Sequence, residues 1–251
     1  MIFRSSELAH PGRRTPYLMA HRGNRALYPE NTRSAFVRAF EDGADFLETD
    51  LQVAADGTFM CIHDATLDRT TDGTGPVANK TAQELASLNA AANRPDLPAE
   101  PVPTLAELAG WLPPDFGLAL ELKTDRFLDA EVAARLLHLL KEHAVDNRTV
   151  ILSFSQERLR AVKWSDSAVP VGLISMTRVI PHRDFEMLGP FWPLLVLNPF
   201  FVRRAHRRGQ FVAPLDPTPE PRLGYYRWLG CDAVLSDHPH ITAEKLQQYR
   251  S

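Results

Sequence analysis

The chain has 251 residues, 44% of them apolar, with 28 basic against 31 acidic side chains and a formal net charge of −3. That length suits one large α/β domain, or two small ones, with a sizeable core. The charge balance gives no reason to expect nucleic acid as a partner, yet permits a small phosphorylated substrate that needs only local positive charge. Residues 1–16 contain Arg4, Arg13 and Arg14 but no continuous apolar segment, which makes a poor signal peptide. No stretch approaches the length of a membrane span. The expectation is a soluble, cytoplasmic protein without stable membrane insertion. Cys61 and Cys231 match no metal spacing, and Cys61, inside an apolar run, reads as a buried thiol.

In chain order, residues 17–20 form a short apolar run that stops at His21 and read as a buried strand. Gly23 marks a sharp turn or a close backbone approach. Thr32 caps a helix to about Asp42, with Ala35, Phe36, Ala39 and Phe40 on one face and Gly43 at its end. Residues 45–53 are a second strand, interrupted by Glu48 and Asp50. Asp56-Gly57 is a two-residue turn signal, so residues 58–62 return as a hairpin arm that carries His63 back. Residues 65–103 are irregular, with a short helix around 81–88, and read as a lid or insertion. A regular strand–helix rhythm follows. Strands are expected at 117–123, 150–152, 169–174, 194–197, 211–215 and 233–236. Helices are expected at 104–111, 129–143, 155–164, near 183–188, 201–208, 223–229 and 241–249. With the hairpin arm set above the sheet, about eight strands each precede a helix. This predicts a (β/α)8 TIM barrel over residues 1–251, with an insertion at 65–103 after the second strand and its hairpin.

Barrel active sites lie at the C-terminal ends of the strands. His21 ends the first strand, Glu48 and Asp50 lie in the second, and Glu121 and Lys123 close the third. Residues i and i+2 of a strand share a face, so each charged pair projects together. Three converging carboxylates repel unless a cation neutralises them; oxygen ligands favour magnesium or calcium. The alternative is a structural ion network with Arg22 and Lys123. His21 and His63 titrate near neutrality and suit acid–base work. Arg22 offers a fork and Lys123 a point charge for phosphate. Together these groups describe phosphodiester cleavage.

His21-Arg22-Gly23, Pro29-Glu30-Asn31-Thr32, Glu48-x-Asp50, Asp56-Gly57, His63-Asp64 and Glu121-x-Lys123 resemble the signature of the glycerophosphodiester phosphodiesterase family. The similarity extends to Pro103-Thr104-Leu105, Ser153-Phe154 and the stretch from Gly230 to Asp237. It implies a (β/α)8 barrel with a small insertion and metal-dependent hydrolysis of a small glycerophosphodiester to sn-glycerol 3-phosphate and an alcohol. It further implies that Glu48, Asp50 and Glu121 hold a divalent cation, Mg2+ or Ca2+. His21 and His63 would be acid and base, Arg22 and Lys123 phosphate contacts, and Glu30 and Asn31 substrate-side residues. One departure concerns a Trp-Thr-Val-Asn-like sequence of the family on a late strand, where the corresponding place here reads Val212-Ala213-Pro214-Leu215-Asp216 and bears on substrate preference. Two alternatives stand beside this reading. A phospholipase D-like lyase acting on choline lipids would form cyclic phosphate and show an exposed apolar lip. A non-catalytic phosphodiester-binding barrel would not need two histidines and three carboxylates.

Overall fold

The computed structural model describes residues 15–248, so the segment read above for a leader lies almost wholly outside the described residues, as does Tyr249 of the closing helix. The strands are β1 Tyr17–His21, β2 Phe46–Val53, β3 Phe59–Cys61, β4 Gly117–Leu122, β5 Thr149–Ser153, β6 Val171–Ser175, β7 Met187–Pro190, β8 Phe211–Val212 and β9 Ala233–Ser236. The helices are α1 Arg33–Glu41, α2 Ala82–Ala86, α3 Leu105–Trp111, α4 Ala130–Glu142, α5 Gln156–Ser165, α6 Trp192–Leu197, α7 Phe201–His206, α8 Leu223–Leu229 and α9 Pro239–Gln248. Eight strands pair in the order β8-β7-β6-β5-β4-β2-β1-β9, all parallel, and form a nearly closed barrel. β3 lies off this path, antiparallel to β2 with Leu51 opposite Cys61, as the Asp56-Gly57 turn requires. Residues 65–103 hold only a short 3₁₀ turn and α2, whose Thr81–Glu84 capping box satisfies its first amides. They bury a small apolar cluster around Leu67, Val77 and Leu85 against Met60 and Ile62.

Strand alternation creates two cores. Leu18, Leu47, Leu51, Leu118 and Leu120 face the helices. Tyr17, Met19, Phe46 and Ala119 face the barrel axis. Three aromatic rings plug the strand-start end: Tyr17 lies 5.9 Å from Phe46, and Phe211 lies 6.4 Å from both. A side chain on Gly117 would collide with the Phe46 ring. Along the same inward columns, His21 follows Met19, Glu48 and Asp50 follow Phe46, and Glu121 follows Ala119. The interior is thus apolar at one end and ionisable at the other.

Among the described residues β8 and β9 share no strand ladder. A side chain closes that seam instead. The Asp232 backbone N–H donates to the Val212 carbonyl at 2.9 Å, and the Val212 N–H donates to Asp232 Oδ2 at 2.7 Å. His206 Nε2 sits 2.8 Å from the same carboxylate oxygen. Asp232→Ala strands a buried N–H, which costs about 1–3 kcal/mol, and loses the His206 contact as well. The expected result is a melting temperature lower by roughly 5–10 °C, read by thermal denaturation, with the far-UV spectrum unchanged.

Two expected elements are interchanged. Residues 183–188 were expected to be helical and 194–197 to be a strand. The structure places the strand at Met187–Pro190 and the helix at Trp192–Leu197. A four-residue apolar run fits a buried strand and a short helix equally well. Pro193 decides it, because proline near a helix start loses no needed hydrogen bond. The strand at 211–215 shortens to Phe211–Val212, with Leu215 returning as an isolated bridge to Phe191. Both cysteines are buried and free, and burial pushes the Cys61 thiol up to about 12. No helix among the described residues is long and apolar enough to cross a membrane.

Candidate active site

The ionisable ends of β1, β2 and β4 meet at the barrel mouth. His21 pairs with Glu48 in the ladder, and Asp50 with Glu121. Glu48, Asp50 and Glu121 are all buried, and one carboxylate oxygen from each lies within 4.8 Å of the others. Lys123 Nζ reaches Glu121 Oε1 at 2.6 Å and Asp50 Oδ1 at 3.2 Å. Arg22 Nε lies 2.9 Å from Asp50 Oδ2. These last contacts are ion pairs without good hydrogen-bond alignment: the Arg22 Nε–H and Asp50 Oδ1 have no hydrogen-bond partner although both are buried.

The three carboxyls differ in their proton affinity. Burial, with Asp50 and Glu121 close by, pushes Glu48 well above the usual carboxylate range. Burial also raises Glu121, and outweighs Lys123. Burial opposes ionisation of Asp50 too, but Arg22 and Lys123 outweigh it and hold Asp50 low.

The backbone after β1 is shaped for this purpose. Arg22 and Gly23 have φ of 56° and 80°. The Arg22 N–H donates to the Glu48 carbonyl at 2.9 Å and to Glu48 Oε2 at 3.1 Å. A Cβ at Gly23 would lie 2.6 Å from the Ala35 carbonyl oxygen, so glycine lets α1 pack against the turn. Asn31, also at φ 56°, donates from Nδ2 to Asp50 Oδ2 at 3.0 Å and accepts from the Thr49 hydroxyl at 2.8 Å. It holds Asp50 in place. Glu30 faces three guanidinium groups: Arg22 at 2.9 Å, Arg25 at 3.0 Å and Arg69 at 2.7 and 3.0 Å.

Each histidine has a carboxylate on Nδ1. His21 lies 2.6 Å from Asp237 Oδ1, and His63 lies 2.6 Å from Asp64 Oδ1. Such a partner fixes ring orientation and leaves Nε2 for chemistry. Burial lowers the pKa of both rings, against the pull of these carboxylates. Arg69, in the insertion, joins Asp64 at 2.5 Å to Glu30, and Arg25 lies 3.8 Å from Asp237. The two histidines are therefore ends of one charged chain around the rim.

All nine residues singled out from sequence thus come together: His21, Arg22, Glu30, Asn31, Glu48, Asp50, His63, Glu121 and Lys123. Sequence reasoning gave no role to Asp237, Asp64, Arg25 or Arg69. A signal for Asp237 existed. A closed barrel puts its last strand beside its first, and Ala20 pairs with Ser236, so the residue after β9 must stand level with His21. Phe200, His238 and His240 do not line the cavity that holds His21, Glu48 and Glu121. The His240 ring instead meets the Asn24 amide at 3.2 Å.

A family model described as the glycerophosphoryl diester phosphodiesterase family matches residues 21–241. The chain belongs to this family. A glycerophosphodiester phosphodiesterase of Caldanaerobacter subterraneus subsp. tengcongensis is 31% identical, over 88% of this chain and 94% of the relative. One from Bacillus altitudinis is 25% identical, over 88% and 94%. The structure of an Oleispira antarctica phosphodiesterase in complex with the product sn-glycerol-3-phosphate superposes with a TM-score of 0.83. It is 27% identical and covers 92% of this chain and 97% of that one. The phosphodiesterase activity, the barrel and a buried acidic triad able to hold a metal ion are thus consistent with one another.

Glu30 offers a check on the rim. Its pKa falls to about 2: burial opposes ionisation, but the hydrogen bonds from Arg69 and the charges of Arg22 and Arg25 outweigh it. A depressed carboxyl adds stability that is fully present above its ordinary pKa, near 4.5, and is lost as pH falls toward about 2. Glu30→Gln is expected to melt several degrees below wild type at neutral pH, with the gap closing through that acid window. A gap that does not depend on pH would show that the carboxylate is not the stabilising group.

Proposed function

We propose that the chain hydrolyses glycerophosphodiesters to sn-glycerol 3-phosphate and an alcohol, with a divalent cation held by Glu48, Asp50 and Glu121 and with His21 and His63 as the acid–base pair. The observation that carries this reading is the triad of carboxylates within 4.8 Å, flanked by Arg22 and Lys123. The donor set fits a hard cation. It offers only carboxylate oxygens, one of them buried with no hydrogen-bond donor, and burial, with the neighbouring carboxylates, holds Glu48 and Glu121 at raised proton affinity. Bound there, Mg2+ or Ca2+ supplies Lewis-acid stabilisation of charge on the phosphoryl oxygens.

The chain's own residues do the rest. Arg22 and Lys123 turn toward the phosphate, Arg22 as a fork and Lys123 as a point charge. Glu30 orients Arg22, and Asn31 orients Asp50, so both serve the substrate through a neighbour. One imidazole Nε2 takes the proton of the attacking oxygen, and the other gives a proton to the leaving oxygen. Asp237 and Asp64 hold the rings for these transfers.

The direct test incubates purified protein with glycerophosphocholine and with glycerophosphoethanolamine, with magnesium or calcium and then with chelator, and assays sn-glycerol 3-phosphate. Product with metal and none with chelator is expected. No product under either metal would sink the reading. Phosphorus NMR of the products separates hydrolysis, which gives a phosphomonoester, from the lyase alternative, which gives a cyclic phosphate.

A further inference from the structure

Arg69 stands in the insertion, in a turn that is fixed at both ends. Leu67 is fully buried in the small apolar cluster. Its N–H donates to the Gly75 carbonyl at 3.0 Å, and its carbonyl accepts from the Thr71 N–H at 3.0 Å and from the Thr71 hydroxyl at 2.8 Å. The turn so held carries Arg69 out over the rim of the barrel. The insertion grips the segment after β1 at two further points. Arg94 Nη2 donates to the Leu27 carbonyl at 3.2 Å, and the Ser34 N–H donates to Glu100 Oε2 at 3.0 Å. The clamped segment is the one that carries Arg22, Glu30 and Asn31.

The Arg69 guanidinium spends three donors on two carboxylates. Nε donates to Asp64 Oδ2 at 2.5 Å, Nη2 to Glu30 Oε1 at 2.7 Å and Nη1 to Glu30 Oε2 at 3.0 Å. Each carboxylate passes the constraint on. Asp64 Oδ1 lies 2.6 Å from His63 Nδ1, and Glu30 Oε1 accepts from Arg22 Nη1 at 2.9 Å. A planar fork fixes angle as well as distance, which a point-charge ammonium does not. The two histidines need this support unequally. His21 is buried within β1, and Asp237 beside it is tied by its own N–H to the Pro217 carbonyl at 2.7 Å. His63 and Asp64 stand in a bend, with side chains 31% and 28% exposed. A carboxylate open to water turns freely unless a second bond holds it, and Arg69 supplies that bond. The same bond keeps the Asp64 carboxyl down at about 2, so the charge behind the ring persists.

We propose that Arg69 is a positioning residue for phosphodiester cleavage, which aims the His63 ring through Asp64 and the Arg22 guanidinium through Glu30. The inference rests on the phosphodiesterase reading above and adds a residue to it. One side chain thereby ties a proton-transfer group to a phosphate-binding group, and the insertion that carries it takes part in the chemistry. The stake of Arg69 in stability is small. Its side chain is 44% exposed, and ion pairs in contact with water contribute little to folding. A large effect of its removal on turnover therefore has to come from geometry.

The test is Arg69→Gln, assayed on glycerophosphocholine with magnesium or calcium. Its kcat should fall by about 10- to 100-fold, the cost of losing a group that orients a functional side chain. Its KM should rise as Arg22 loses its direction, and its melting temperature should stay close to that of the wild type. Placed in His63→Ala, the same substitution should leave kcat unchanged, because the ring that Arg69 aims is gone, while KM still rises through Arg22. Placed in His21→Ala, it should cost the full factor in kcat again. A side chain that merely supports the fold lowers kcat equally in both backgrounds, and that result overturns the proposal. Wild-type kcat and KM in Arg69→Gln overturn it as well. Arg69→Lys keeps the charge without the fork: recovery that is partial or absent supports the proposal, and full recovery overturns it. Failure of the wild type to turn over glycerophosphocholine with either metal counts against the phosphodiesterase reading instead. The positioning is then read by NMR of the imidazole nitrogens. Arg69→Gln should shift those of His63 and leave those of His21 in place, and unmoved His63 nitrogens overturn the proposal.

Discussion

His21→Ala is expected to lower kcat on glycerophosphocholine by roughly 10²- to 10⁴-fold, the range that a positioned acid–base group contributes. The ring is buried and anchored by Asp237 at 2.6 Å. Burial lowers its pKa, which keeps it neutral at pH 7 and able to accept a proton. Alanine removes that acceptor and leaves the barrel otherwise intact, since His21 is the last residue of β1 and its strand pairing uses backbone atoms. The melting temperature should therefore change little. His63→Ala should give a loss of the same order, because its ring has the equivalent Asp64 partner. Asp237→Asn should do less harm than His21→Ala, because the ring keeps a hydrogen-bond partner but loses the negative charge behind it. Near-normal kcat in both alanine variants would refute the acid–base assignment.

The second large effect concerns metal. Chelation is expected to reduce turnover by about a thousandfold or more, since metal stabilisation of charge is worth several kcal/mol in the transition state. Added cation should restore the rate and raise the melting temperature, by about 2.7 kcal/mol of stability at a hundredfold excess over Kd. Glu48→Gln separates metal binding from folding through opposite signs. Glu48 has its pKa raised by burial, with Asp50 and Glu121 adding repulsion. A carboxyl raised on folding costs stability as pH climbs above its unfolded value. At neutral pH the metal-free glutamine variant should therefore melt above metal-free wild type, while its gain on adding magnesium or calcium shrinks and its activity collapses. Thermal scans with and without cation read all of this. A metal-free variant that melts below wild type would show that the triad is already balanced by Arg22 and Lys123.

Much of this site was legible in the sequence, because each charged residue breaks an otherwise apolar strand. Glu48, Asp50 and Glu121 are expensive on a barrel interior unless they share a purpose, and two-residue spacing tells which of them face the same way. The Asp56-Gly57 turn located His63 for the same kind of reason. What stayed hidden depended on non-local geometry. Arg69 belongs to the rim only because the insertion folds back over Glu30. Asp64 stood in the motif without a role, since adjacency in sequence does not show that its carboxylate reaches Nδ1. The interchange of strand and helix between residues 183 and 197 has a different origin: short apolar runs with proline nearby satisfy either period, and only pairing with β6 and β8 selects Met187–Pro190.

The contact between Phe46 and Gly117 has a consequence for how such a chain can change over generations. The ring occupies the space that any side chain at 117 would need, so the two positions form one unit of inheritance. A lineage can enlarge residue 117 only after, or together with, a reduction at 46, and the intermediate with both large is closed to it. Because Glu48 follows Phe46 on the same inward column, drift at the sealed end of the barrel is also drift two residues below a carboxylate of the triad. The aromatic floor thereby restricts the paths open to the chemistry above it.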